Sequence, residues 1–182
     1  MKILRPLFIT VFFAATFSVS AAPEKTVIKI GNGITQVDFT GDGVPDLIIS
    51  GHRENYNAHS FDVVSFYVPF ENIWNIVPIF GKEKEEWQVS IGGGADCLLQ
   101  DFRLLKGGAK EPATLITADR ELGESYVNPA KVTFTFYKFT RNKEAEVGEP
   151  TFSFIFSKAI NSKVNYCDVG NAFKVELNLG PR

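Results

Sequence analysis

Lys131-Val132-Thr133-Phe134-Thr135-Phe136-Tyr137-Lys138-Phe139 alternates polar with large apolar side chains. A period of two sends successive side chains to opposite faces, so this stretch predicts a half-buried β-strand. Thr151-Phe152-Ser153-Phe154-Ile155-Phe156-Ser157 repeats the pattern, and the polar residues 142–148 between the two suit a hairpin connection. Working outward, residues 26–30, 35–39, 46–50, 62–68, 86–91, 98–105 and 114–119 read as further strands. Residues 77–80 read as an edge strand, because Pro78 cannot donate to a ladder. The 17 Phe supply bulky side chains for a sheet core. Helical periodicity is nearly absent, with one capped turn expected over 168–173. The chain is therefore expected to be all-β: a single antiparallel β-sandwich-like domain of two packed sheets, with few short helical turns.

The N-terminus has the pattern of a targeting segment. Lys2 and Arg5 precede an apolar run over 7–17, and Val19-Ser20-Ala21 offers small residues at a cleavage site. That run is too short to span a bilayer. Residues 1–21 are thus expected to be a signal peptide and 22–182 a single β-rich periplasmic domain. Of the 19 basic and 21 acidic residues, cleavage removes Lys2 and Arg5, leaving a net charge of −4. With no basic run and no DNA-reading helix, nucleic acid is not an expected partner. No later apolar stretch is long enough for a membrane span.

Two cysteines, Cys97 and Cys167, remain after cleavage. An even count in an exported chain favours one disulfide, and the periplasm permits it. Two buried thiols or one reactive cysteine are the alternatives, but there is no CxxC to support them.

Asp38-Phe39-Thr40-Gly41-Asp42-Gly43-Val44-Pro45-Asp46 is the most distinctive loop. Oxygen-bearing side chains stand at positions 1, 3, 5 and 9, with a glycine at position 6, as in the front half of a calcium loop. Asp38, Thr40, Asp42 and Asp46, with the Val44 carbonyl, are the expected calcium ligands. Position 12 is Ile49, so the bidentate glutamate of an EF-hand is missing, and strand patterns rather than helical ones flank the loop. The DxTGDGxxDL pattern resembles the strand-borne loops of FG-GAP and VCBS repeats, although no second copy makes a propeller. A metal-free turn between strands has the same composition.

Residues 51–62, Gly-His-Arg-Glu-Asn-Tyr-Asn-Ala-His-Ser-Phe-Asp, concentrate groups suited to polar ligands. Arg53 can fork onto a carboxylate, Asn55 and Asn57 donate and accept, and Glu54 and His59 complete the candidate ligand-binding set. A loop satisfying its own backbone explains the same residues. His52 and His59 are the only histidines, and no zinc-site spacing includes them. Residues 117–126 form a second polar cluster, for which ion pairing on a solvated surface is the first account and a cleft shared with the first cluster the alternative. Gly92-Gly93-Gly94 lacks a P-loop ending and reads as a place where a bulge or a neighbouring backbone comes close. No GxSxG or SxxK is present, so no catalytic residue is assigned and the protein is not expected to be an enzyme.

Several segments together resemble the CarG family of carbapenem intrinsic-resistance proteins, small exported proteins of Gram-negative bacteria. They are DFTGDGVPDLII at 38–49, HRENYNAHSF at 52–61, GGADCLLQDFRLL at 93–105, LITADRELGESY at 115–126 and YCDVGNAF at 166–173. The resemblance implies a periplasmic protein that gives self-resistance to carbapenem β-lactams without hydrolysing them, by binding the drug or shielding its target. The alternative is a calcium-stabilised envelope interaction module with no role in resistance. The expected partner is accordingly a small-molecule β-lactam or an envelope protein.

Overall fold

The computed structural model describes residues 26–56, 59–93, 97–123, 125–144 and 147–182. Among them lie β1 (Gly33–Val37), β2 (Asp46–Arg53), β3 (Phe61–Phe70), β4 (Ile73–Ile76), β5 (Ile79–Phe80) and β6 (Glu85–Glu86). Next come β7 (Val89–Gly93), β8 (Leu98–Leu105), β9 (Thr114–Arg120), β10 (Val132–Arg141), β11 (Phe152–Asn161) and one helix, α1 (Val169–Leu177). The fold is all-β, with antiparallel pairing throughout except between β11 and β5.

The two sheets expected from sequence are one continuous sheet, ordered β1-β2-β3-β7-β8-β9-β10-β11-β5-β6, with β4 on β3. It turns back on itself through residues 73–80. Val77 still donates to the Phe66 carbonyl of β3 at 2.9 Å, and two residues later Ile79 is in register with Phe154 of β11. The halves enclose a phenylalanine core in which Phe66 meets Phe102 at 6.0 Å and Phe154 at 5.3 Å between ring centroids. Edge-to-face contact of this kind adds to the burial of the rings themselves.

The outer face of β8–β10 carries Leu105, Ile116, Ala118, Val132 and Phe134, which needs a cover. Helix α1 supplies it through Val169, Ala172 and Phe173. Asp168 caps its N-terminus, accepting from the amides of Gly170 at 2.7 Å and Asn171 at 3.1 Å. Asn178 ends it in a left-handed conformation. The expected single turn is thus a nine-residue helix.

Some strand boundaries differ from the sequence reading. Residues 26–30 do not form a strand, although Ile28 donates to Leu104 and Val27 bridges to Leu105 along β8. Strand β4 was not expected. It follows a two-residue turn in which Glu71 and Asn72 both have positive φ, without the glycine that usually marks such a turn.

The expected disulfide is present, joining Cys97 to Cys167 with 5.3 Å between Cα atoms. It fastens the start of β8 to the residue before the cap of α1.

Candidate functional site

The polar segment after β2 and the one after β9 are far apart in the chain and meet in space. The His59 ring stacks on Tyr126, with 5.6 Å between centroids and 23° between planes. Below this pair opens a cleft of about 580 Å³. Asn55, His59 and Phe61 form one wall, Leu122 and Tyr126 the other. Its floor is β7 and β8, through Ser90, Gly92, Gly93, Leu99 and Gln100.

The glycines of the floor are there for space. Gly92 is opposite Phe61 in the β3–β7 pair, and a Cβ on it would lie 2.9 Å from the Phe61 Cβ. A Cβ on Gly93 would lie 2.1 Å from the Cys97 carbonyl oxygen, at the point where the β7–β8 register shifts. The bulge and close approach expected from sequence are thus found at these two glycines, while Gly94 lies outside the described residues.

The expected ligand-binding set divides. Asn55 and His59 line the cleft. Arg53 does not; its guanidinium lies over the Phe61 ring, 4.9 Å from the centroid. Glu54 is exposed and does not line the cleft, and Asn57 lies outside the described residues. His52 is turned to Asp62, its cross-strand partner, at 2.9 Å.

Arg120, which sequence reasoning did not single out, is the charged group of the cleft. It is 6% exposed. Its Nη1 donates to the Asn128 carbonyl, and its Nη2 to Tyr126 at 2.9 Å and Ser125 at 3.5 Å. It therefore holds the loop that carries Tyr126. Its Nε is buried with no hydrogen-bond partner. A signal was available: Ile116, Ala118 and Arg120 share one face of β9, so the arginine continues the apolar parity of the face that α1 covers. Asp119, one residue earlier, points the other way and accepts from Gln100 Nε2 at 3.0 Å.

The 38–46 loop is closed by its own carboxylates. Asp38 accepts from the amides of Gly41 at 2.6 Å and Gly43 at 2.8 Å, and from the Thr40 hydroxyl at 3.3 Å. Asp42 accepts from Val44 at 2.8 Å. Asp46 Oδ2 accepts from Phe39 and Thr40, each at 2.9 Å. Among the described residues no three His, Cys, Asp or Glu side chains converge as a metal centre. The loop does offer one idle oxygen, the buried Asp46 Oδ1. Burial above all, assisted by the charges of Asp42 and Asp38, lifts the Asp46 pKa to about 6 against the pull of its two backbone donors.

The model of the CarG-like family, described as carbapenem resistance protein CarG-like, matches residues 30–175. The chain belongs to the CarG-like family. Its fold is also that of a crystal structure of CarG, with a TM-score of 0.72 over 86% of this chain and 99% of that one, at 24% sequence identity. No curated protein sequence matches the chain. Among the described residues no helix is long and apolar enough to cross a membrane.

Proposed function

We propose that this protein is exported to the periplasm, its leader 1–21 removed, and that it protects the cell from a carbapenem without catalysis. It does so by binding the drug or shielding its target. The observation that carries this reading is membership of the CarG-like family over residues 30–175. The sequence supports its non-catalytic part, since it contains neither a serine-hydrolase motif nor zinc-site spacing.

A second reading, an envelope interaction module with no part in resistance, is favoured by one surface. Ile34 and Ile49, opposite each other in the β1–β2 pair, are 67% and 38% exposed, and Trp74 on the same sheet face is 49% exposed. An apolar sheet face of this kind suits a protein partner.

The test is carbapenem survival of sensitive Gram-negative cells carrying the full chain or an empty vector, with drug concentration followed in the presence of purified protein. Increased survival with undiminished drug is expected. Equal survival would discard protection and leave the interaction module; drug loss would discard the non-catalytic reading.

A further inference from the structure

We infer that the cleft under the His59–Tyr126 stack binds a small monoanion with an apolar ring body, drawn by the charge of Arg120. The inference deepens the proposed protection from carbapenems, which carry a carboxylate on a fused ring, by giving it a location.

The two buried arginines of the sheet make the argument by contrast. Arg103 has its charge answered: its Nη1 is 2.5 Å from Asp101 Oδ2, and its side chain is 4% exposed. Arg120 is almost as buried, yet among the described residues no carboxylate lies within ion-pair distance of it. Three carbonyls orient its guanidinium but leave a net positive charge, and its Nε has no acceptor. A buried cation without a counter-ion is costly, so a fold that keeps one at a cleft wall is poised for an anion.

The rest of the cleft suits a ligand of that class. A volume of about 580 Å³ is in the range of drug-sized sites. Phe61, Leu99 and Leu122 give apolar walls, while Ser60, Ser90 and Gln100 offer hydroxyl and amide groups to orient a polar edge. No Asp or Glu is among the described residues that line it. Low-dielectric walls strengthen the arginine field inside the cleft.

The probes are phenylacetate, its neutral amide phenylacetamide, and a carbapenem, measured by calorimetry on the full domain. Phenylacetate and the carbapenem should bind, the amide about tenfold more weakly or less, and salt should weaken the anions. Leu122 is 56% exposed, so Leu122→Glu should place a competing carboxylate in the cleft without disturbing the core. Anion binding should fall about tenfold or more, with an unchanged melting temperature. Arg120→Gln should also lower anion binding if it folds, with a lower melting temperature because it loses hydrogen bonds to the loop; Leu122→Glu decides the matter if it does not fold. Equal affinity for acid and amide, or unchanged binding in Leu122→Glu, would overturn the site. Survival assays keep the two readings apart. Cells carrying Leu122→Glu that stay protected, while the purified variant has lost the carbapenem, would uphold resistance and overturn the assignment of the drug to this cleft.

Discussion

The rings of His59 and Tyr126 stack 5.6 Å apart, and this contact joins the two polar segments that wall the cleft. Tyr126 is half exposed, so the stack contributes an aromatic pair rather than a core contact. Tyr126→Ala should cost about 1 kcal/mol of stability, the scale of such a pair. Its larger effect should be on ligand affinity, because the wall loses its outer edge. Denaturant unfolding and calorimetry on the same variant separate the two; a loss of several kcal/mol in stability would mean the ring is structural.

The Cys97–Cys167 disulfide closes a loop of 70 residues and lies just ahead of Leu99, part of the cleft floor. Chain-entropy reasoning gives such a loop a stabilisation of about 4 kcal/mol, of which native proteins keep roughly 2–4. Guanidinium unfolding with and without reductant should show that difference. A midpoint unchanged by reduction would show that the crosslink constrains little.

How much of this was legible depended on whether a residue's role is local. Strand β8 has the boundaries its pattern implies, and β10 and β11 pair as their alternation requires, since period two is a property of neighbours. Asn55 and His59 could be nominated from chemistry, and the glycine run from its freedom of approach. Arg53 could not be placed, because its charge was as well served by the Phe61 ring as by a ligand. Arg120 was passed over because its importance is that no carboxylate among the described residues stands beside it, which only the assembled fold reveals. The single curled sheet was likewise hidden, since it depends on where residues 73–80 cross from β3 to β11.

Asp46 should make stability depend on pH and on calcium. Its folded pKa of about 6 exceeds the ordinary 3.8, so between those values the native state holds a proton that the unfolded chain has released. Stability should therefore fall as pH rises through this window, by on the order of 3 kcal/mol, and the full loss should stand above pH 6. Asp46→Asn should flatten the profile. We propose calcium as the cation that relieves the charge at neutral pH, through the idle Oδ1. At pH 7.5, about 5 mM calcium should raise the melting temperature of the natural chain and not of Asp46→Asn. Equal melting curves with calcium and with chelator would leave the loop as a self-capped turn.

Asp101 ties two arginines together, and the consequences of breaking that tie are unequal. It is 5% exposed and takes Arg103 on Oδ2 at 2.5 Å and Arg182 on Oδ1 at 3.0 Å. Arg103 also donates to the Gly180 carbonyl at 2.6 Å and lies over the Phe173 ring at 4.3 Å, so the pair fixes the segment after α1. Asp101→Ala would leave the Arg103 charge buried and unanswered, and should cost about 3–5 kcal/mol. Arg182→Ala leaves Asp101 its second partner, and Arg182 is itself 22% exposed in its side chain, so its loss should cost about 1 kcal/mol. Replacing Asp101 and Arg103 together by Leu and Met should recover much of the Asp101→Ala loss, because no lone charge remains. A double variant as unstable as the sum of the single ones would mean that the arginine acts through Gly180 and Phe173, and that the carboxylate is incidental to it.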